Sequence, residues 1–147
     1  MKRFYIITIL GVLVDRILKV VVTSYLTTKE IFVIDNFFYL VYAENEGAAF
    51  SILEGHQIVF VLMAFLAVFL IYLCNKKSNS NNIGYPLLLG GIIGNLIDRL
   101  AYNHVIDFIG FKLFGKMMPV FNFADILIVV GAFLVLIGSD KNENRSK

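Results

Sequence analysis

Two aspartates stand in strongly apolar surroundings, where an unpaired carboxylate is costly. Asp107 lies within Val105–Ile109, and Asp125 lies within Phe121–Leu127. An ionised carboxylate in such a place needs a partner or a function. The two residues are close enough in sequence to converge, and two adjacent carboxylates readily share one proton. One can then act as general base and the other as general acid, which is the chemistry of aspartic proteases.

Neither aspartate has a strong counter-charge nearby in the sequence. Asp107 has only His104 within four positions, and Asp125 has no basic residue within eight. Asn122 lies three positions before Asp125, so a helix capped near Asn122 would place Asp125 in its first turn, where the helix dipole favours a negative charge. The alternative interpretation makes Asp107 an exposed loop residue and Asp125 an acid at a membrane interface. It does not account for the flanking Val, Ile and Phe residues.

Further polar residues occur at helical spacing. Asp15 and Lys19 are separated by four positions, which predicts an ion pair on one helix face. Lys19 could extend outward to the surface, and the pair either fixes the helix or lies near the site. Asn95, Asp98 and Arg99 also share one face. The adjacent Asp98 and Arg99 are most simply a neutralised supporting pair, with Asn95 completing the network.

Composition indicates an integral membrane protein of one domain. The chain has 147 residues, 59% of them hydrophobic, and its mean hydropathy is +0.79. Soluble domains are about 45–50% apolar. The net charge of +2 is too small to indicate nucleic acid as a partner.

Four apolar runs are long enough to cross a bilayer, which takes roughly 20 residues. We expect helices at about residues 4–22, 58–74, 83–101 and 120–138. Basic residues flank these runs on one side of the predicted membrane, so both termini are expected to be cytoplasmic. They are Lys2, Arg3, Lys76, Lys77, Lys141, Arg145 and Lys147.

The two outer connections differ in character. Residues 24–57 contain the β-branched and aromatic segments Ile31–Ile34 and Phe37–Tyr42 around a turn at Asp35 and Asn36, which predicts an antiparallel β-cradle. The outer loop at about 102–119 contains Phe108–Phe114, interpreted as an interfacial segment. The predicted fold class is therefore an all-α membrane protein of four transmembrane helices with a small extracytoplasmic antiparallel β-cradle, forming one domain over residues 1–147.

Five motifs occur in a defined order along the chain. They are Asp15-x-x-x-Lys19, Asn45-x-Gly47-Ala48-Ala49-Phe50-Ser51, Gly94-Asn95-Leu96-Ile97-Asp98-Arg99, Val105-x-Asp107-Phe108 and Phe121-Asn122-x-Ala124-Asp125. Each motif is weak alone, but five in order on four apolar runs are very specific. Together they resemble bacterial lipoprotein signal peptidase, or signal peptidase II.

The resemblance implies a membrane aspartic endopeptidase that cuts diacylglyceryl-modified prolipoproteins before the lipid-modified cysteine. Asp107 and Asp125 match the catalytic pair, near the outer surface of the bacterial cell membrane. No metal or other cofactor is expected; membrane lipid and globomycin-type inhibitors are expected partners, and the protein is expected to be a monomer. The residues that match the substrate-binding or supporting positions are Asn45, Gly47, Asn95, Asp98, Arg99, Asn122, Asp15 and Lys19.

One position departs from the family's pattern. The family often has Gln after the first aspartate, whereas this chain has Arg16. Adjacent helical positions point to different faces, so Arg16 is not expected to take part in the chemistry.

Three other function classes make different demands on the sequence. A small proton-coupled transporter or channel would need polar residues along several helices, but the second run has essentially none between Ile58 and Tyr72. A scaffold whose acids only pair helices would tolerate loss of Asp107. A presenilin-type protease would carry a Gly-x-Gly-Asp signature, which the sequence lacks.

Overall fold

The computed structural model describes residues 2–47, 55–77 and 82–143. Across these residues the fold consists of four long helices and a four-stranded antiparallel sheet, and each predicted apolar run lies on one of the helices. The elements in chain order are α1 (Lys2–Tyr25), β1 (Ile31–Ile34), β2 (Phe38–Asn45), α2 (Gln57–Lys77), α3 (Gly84–Tyr102), β3 (Val105–Leu113), β4 (Lys116–Met117) and α4 (Phe123–Glu143).

Helix α3 is the centre of the bundle and packs against each of the other three helices. Glycines allow this close approach, as the small-residue pattern of the helix indicates. A Cβ atom on Gly84 would lie 2.5 Å from the carbonyl oxygen of Gly131 on α4, and one on Gly94 would lie 2.7 Å from Oδ2 of Asp15 on α1. The glycines therefore bring the polar residues of α1 and the first turn of α4 against α3.

Polar and apolar side chains are arranged opposite to those of a soluble protein. The largest fully buried side chains are Lys19, Asn122, Asp15 and Asp98, whereas large apolar side chains on α1, α2 and α4 face outward. Burying charges while exposing apolar groups is favourable when the surrounding medium is itself apolar.

The helices differ in how clearly their composition indicates a membrane span. Among the described residues, Gln57–Lys76 of α2 is the one stretch that is long and apolar enough, with a mean hydropathy of 2.7, and α4 holds a shorter apolar stretch, Phe123–Gly138. Helices α1 and α3 contain the charged and amide residues of the bundle interior, which lower their mean hydropathy. The coarse prediction of a helix-rich protein with a small antiparallel sheet is confirmed.

The sheet has the order β1-β2-β3-β4. Strands β1 and β2 form the predicted hairpin, in which Asn36 adopts a positive φ of 56°. Most of the segment Phe108–Phe114, which was expected to be interfacial, belongs to β3, which pairs antiparallel with β2. The aromatic rings of Phe38 and Phe111 stack across that pair at 5.4 Å, so these residues serve the sheet.

A sharp change of direction links α3 to β3. Asn103 takes the left-handed conformation with φ 61°, and its backbone N–H donates to the carbonyl oxygen of Arg99. This ends α3 in the manner typical of Asn and Gly. Asp107 is thereby placed on a strand beside the C-terminal end of α3. The motif residues Ala48, Ala49, Phe50 and Ser51 lie outside the described residues.

Candidate active site

Asp125 is positioned by a capping box at the start of α4. The side-chain oxygen of Asn122 accepts a hydrogen bond from the backbone N–H of Asp125 at 2.9 Å, and Asp125 Oδ2 accepts one from the backbone N–H of Asn122 at 3.1 Å. The exchange satisfies two backbone donors at the helix N-terminus. Asp125 therefore lies in the first turn of α4, as expected for a helix capped at Asn122.

Asp107 is positioned by side chains from distant parts of the chain. Its Oδ2 accepts a hydrogen bond from Asn45 Nδ2 at 2.8 Å, and its Oδ1 accepts one from Asn122 Nδ2 at 2.6 Å. On the sheet, Asn45 pairs with Val105 and Ala43 pairs with Asp107, so Asn45 and Asp107 are diagonal neighbours on one face. The fold thus orients Asp107 from β2 and from the cap of α4.

The two aspartates line one cavity of about 820 Å³ where the sheet meets the helices, with Asn45, Asn95 and Arg99 also in its wall. Asn122 contacts both carboxyl groups, because its amide donates to Asp107 while its backbone N–H donates to Asp125. Asn95 Nδ2 donates to the remaining oxygen, Asp125 Oδ1, at 2.8 Å. Each of the four carboxylate oxygens therefore accepts one hydrogen bond and retains acceptor capacity for a water or a shared proton.

Lys19 and Asn95 connect the site to the bundle interior. Lys19 Nζ donates to Asn95 Oδ1 at 3.0 Å, and the same oxygen accepts a bond from Asn122 Nδ2 at 3.1 Å. Nζ also lies 3.0 Å from Asp15 Oδ2 and 2.7 Å from Asp98 Oδ2. The predicted Asp15–Lys19 ion pair is thus present. The prediction that Lys19 could extend outward was wrong: its side chain is 1% exposed, because two buried acids hold it inside.

The pairing of Asp98 with Arg99 was also predicted wrongly. Asp98 pairs with Lys19 and with Arg16, and its Oδ2 accepts the backbone N–H of Ile106 at 3.2 Å. Adjacent positions on α3 point in different directions, so Asp98 faces α1 while Arg99 faces the cavity. Asp98 consequently holds the start of β3 against α3.

Arg16 lies in the same charged cluster, contrary to the expectation from its helical position. Its Nη2 is 2.6 Å from Asp98 Oδ1 and 3.3 Å from Asp15 Oδ2. Arginine is long enough to curl back from one helix face towards another, which the spacing of Cα positions does not reveal. Arg16 is the polar contact that the sequence analysis missed. Only the packing of α1 on α3 could have revealed it.

Arg99 and Gly47 also line the cavity. Arg99 donates to the carbonyl oxygen of Gly47 at 3.4 Å, and its guanidinium lies over the ring of Phe60 on α2, 4.8 Å from the centroid. The backbone N–H of Gly47 donates to Asn45 Oδ1 at 3.0 Å, which orients the Asn45 amide towards Asp107. These contacts hold the chain that leaves β2 beside the two aspartates.

Burial changes the acidity of Asp107, whose side chain lies on β3. Desolvation raises its pKa from 3.8 to about 6, and the charge of Asp125 acts in the same direction. Hydrogen bonds from Asn45 and Asn122 and the charge of Lys19 act against this increase. Such a carboxyl group keeps its proton to a higher pH than an exposed one.

The composition of the site was also compared with that of a metal centre. Within the described ranges, no three His, Cys, Asp or Glu side chains form a group that could hold a metal ion. Asp107 and Asp125 instead accept hydrogen bonds from the side-chain amides of Asn45 and Asn95. The arrangement offers two carboxyl groups, one of them with a raised pKa, in a partly enclosed cavity, which is suited to acid–base catalysis.

Comparisons with known proteins give a consistent result. The family described as "Signal peptidase (SPase) II" matches residues 7–140. The lipoprotein signal peptidase of Clostridium tetani (strain Massachusetts / E88) is 40% identical, over 90% of this chain and 88% of the relative. That of Halothermothrix orenii (strain H 168) is 34% identical over 90% and 92%.

Solved structures agree with these relatives. One described as a bacterial membrane enzyme determined by the in meso method superposes with a TM-score of 0.87 and 28% identity, covering 100% of this chain and 93% of the other. A second structure of the same description has a TM-score of 0.82 and 27% identity, covering 93% and 92%. The fold is therefore that of a bacterial membrane enzyme.

Proposed function

The chain belongs to the signal peptidase II family, and from this premise we propose that it is an aspartic endopeptidase of diacylglyceryl-modified prolipoproteins. It would cut before the lipid-modified cysteine and release the signal peptide. Asp107 and Asp125 are the proposed catalytic pair. The observation that carries this proposal is that Asn122 joins the two carboxyl groups in the wall of one cavity. The alternative of a transporter finds no support among the relatives.

The proposed mechanism uses one proton shared between two acids. The ionised member of the pair takes a proton from a water, and the water oxygen attacks the scissile carbonyl carbon. The protonated member donates a hydrogen bond to the carbonyl oxygen. When the C–N bond breaks, a proton from the pair passes to the departing amine. The products are a carboxylate on the signal peptide and a free amine on the lipid-modified cysteine. The titration belongs to the pair, so neither role is assigned to one residue.

The supporting residues fix the pair before substrate arrives. Asn45, Asn95 and Asn122 donate to the carboxyl oxygens; Asn95 and Asn122 are bonded to each other, and Asn45 is held by the backbone N–H of Gly47. Such fixed donors lower the reorganisation needed during the reaction. We propose that Arg99 and Gly47 bind the backbone of the substrate, since they line the same cavity as the carboxyl groups. Asp15, Lys19 and Asp98 support the site from within the bundle.

The walls of the cavity suit a substrate with both peptide and lipid parts. Polar groups of the segment 43–47 form one side, while Met117, Phe121, Ile128 and Val129 form another. Val129 is 68% exposed on the outside of α4, so the apolar wall continues onto the surface that would face lipid. Acyl chains attached to the cysteine could leave the site along this wall without crossing polar surface.

We propose that all four helices cross the membrane as one domain over residues 1–147, with both termini cytoplasmic. Helices of 19 to 24 residues are roughly 30 Å or more in length, which matches the hydrocarbon core. The outward apolar side chains of α1, α2 and α4 support this arrangement. It places the sheet and the two aspartates near the outer surface. The proposed protein acts as a monomer in contact with membrane lipid, and globomycin-type compounds would compete with substrate.

Cleavage of matched peptides tests the function. A synthetic lipobox peptide carrying diacylglycerol on its cysteine is compared with its non-lipidated twin, using purified enzyme in lipid micelles with and without globomycin. We expect cleavage before the cysteine of the lipidated peptide alone, and inhibition by globomycin. Equal cleavage of both peptides, or cleavage elsewhere, would contradict the assigned substrate class.

A further inference from the structure

Arg16 is not one of the specified residues of the five motifs, and it departs from the glutamine that the family often has there, yet it bridges two buried acids. Its Nη2 contacts Asp98 Oδ1 at 2.6 Å and Asp15 Oδ2 at 3.3 Å. The side chains of Asp15 and Asp98 are fully buried, whereas that of Arg16 is 22% exposed. The bridge therefore joins α1 to α3 at the edge of the charged cluster.

Each of the two acids holds the backbone next to one catalytic aspartate. Asp15 Oδ1 accepts the backbone N–H of Ala124 at 3.0 Å, and Ala124 directly precedes Asp125. Asp98 Oδ2 accepts the backbone N–H of Ile106 at 3.2 Å, and Ile106 directly precedes Asp107. One acid thus anchors the α4 segment of the proposed pair, and the other anchors the β3 segment.

Lys19 also bridges the two acids, but all of its N–H donors already have acceptors. Its three N–H donors correspond to Asp15, Asp98 and Asn95. With Arg16 present, the cluster holds two acids and two bases. Without Arg16, one lysine would compensate two buried carboxylates, and the uncompensated charge would lie in a poorly solvated place close to the site.

We infer that Arg16 is a positioning residue for the proposed hydrolysis, because it ties the anchor of the Asp107 segment to the anchor of the Asp125 segment. The inference rests on the proposed function. Arg16 does not touch the carboxyl groups of the pair; it acts through Asp15 and Asp98. Its charge also keeps the cluster beneath the pair neutral.

Loss of that charge should be visible at Asp107 itself. A net negative cluster opposes ionisation of the neighbouring acid, so Asp107 should release its proton at a higher pH. The charged and hydrogen-bonding groups that face Asp107 come from α1, β2, α3 and α4. They are Lys19, Asn45, Arg99, Asn122 and Asp125.

The test compares Arg16→Ala with Arg16→Lys and with Arg3→Ala, a matched control that removes an exposed charge from the same helix. Cleavage of the diacylated peptide is measured against pH, together with thermal unfolding. We expect Arg16→Ala, which removes both the charge and the bridge, to lower kcat by about tenfold with little change in KM, since a small misplacement of reacting groups is costly. Its alkaline limb should move to higher pH. Arg16→Lys should recover most of the activity, and Arg3→Ala should match the native enzyme.

A native kcat and pH profile in Arg16→Ala would overturn the inference. So would an equal loss in Arg16→Lys with an unmoved alkaline limb, which would show a purely structural contribution. The titration of Asp107, followed by carbon-13 NMR of labelled aspartate, gives a readout that does not need cleavage. If the native enzyme failed to cut the lipidated peptide, the proposed function would fail, while an unshifted Asp107 midpoint in Arg16→Ala would reject the positioning role alone.

Discussion

The two aspartates of the candidate site are held in different ways. Asp125 is set by its own helix, through the exchange of hydrogen bonds with Asn122 three positions earlier. Asp107 is set by side chains from β2 and from the start of α4, far away in sequence. The comparison shows one acid whose place is encoded locally and one whose place depends on the assembly of the whole fold.

Asn122 is the point where these two arrangements meet. It caps α4 for Asp125 and donates its amide to Asp107. Its side chain is fully buried, so a lost bond there would not be replaced easily by water. Changes at Asn122 should therefore affect both acids, whereas changes at Asn45 or Asn95 should affect one.

The largest effect is expected from removing either carboxylate. Asp107→Asn and Asp125→Asn each keep the side-chain volume but remove the acid, so each should lower kcat/KM for the diacylated peptide by about 10³-fold or more. Both variants should still insert and fold. Normal turnover by both would contradict the catalytic pair and leave the two aspartates with a structural role only.

A smaller but still large loss is expected at Asn122. Asn122→Ala removes the cap and the donor to Asp107, which should lower kcat/KM by about 10²-fold and destabilise the protein by about 1 kcal/mol. Asn122→Ser is the matched variant, because a serine can cap the helix but lacks the amide donor. It should recover stability more than activity. Full recovery of both would show that the bond to Asp107 contributes nothing to catalysis.

Single-acid contacts should have smaller effects. Asn45→Ala removes one donor to Asp107, and Asn95→Ala removes one donor to Asp125 and one acceptor of Lys19. We expect each to lower kcat by about tenfold, with the greater loss of stability in Asn95→Ala because Lys19 is buried. Thermal unfolding and steady-state kinetics measure the two quantities. If both substitutions destabilised the protein equally, the expected difference between the Asp107 contact and the Asp125 contact would be contradicted.

A smaller effect is expected from the pH dependence of activity and stability. Because burial raises the pKa of Asp107 to about 6, the pair should lose its shared proton as pH rises through that value, and kcat/KM should fall. The same shift means that the folded state binds this proton more tightly than the unfolded state. Its contribution to stability is therefore present at low pH and is lost between 3.8 and about 6. In Asn45→Ala, the alkaline limb should move to higher pH, since that bond favours the charged form.

The smallest expected effect is none, on addition of a chelator. If two carboxyl groups and a water suffice, EDTA should leave kcat and KM unchanged at neutral pH. Steady-state rates with and without EDTA measure this, with a zinc-dependent protease treated in parallel as a positive control. Loss of activity that zinc restores would mean that a metal ion takes part in the reaction.

Local patterns in the sequence were sufficient for one side of the site. The spacing of Asn122 and Asp125 indicates a helix start, and the structure has the cap there. The apolar runs and the Ile31–Ile34 and Phe37–Tyr42 segments likewise indicate their own secondary structure, because periodicity and β-branched content are local properties. Family membership followed from the order of several such motifs and is confirmed by the relatives.

Long-range contacts could not be predicted from the same patterns. Taken alone, Phe108–Phe114 looks like an interfacial segment, because its pairing with β2 depends on residues far away in the sequence. Asp98 was assigned to its neighbour Arg99, but the bundle brings Lys19 and Arg16 closer. These choices are decided by which buried groups meet when α1 packs on α3. No property of either segment alone determines that outcome.

The most direct question about the proposed pair is whether the charge of one carboxyl group changes the pKa of the other. Carbon-13 NMR of the labelled carboxyl carbon of Asp107 can follow its titration in the native protein and in Asp125→Asn, without any need for activity. The charge of Asp125 raises the pKa of Asp107, so we predict a native midpoint near 6 and a lower one in Asp125→Asn. The same midpoint in both proteins would show that the carboxyl groups titrate independently and would contradict a shared proton.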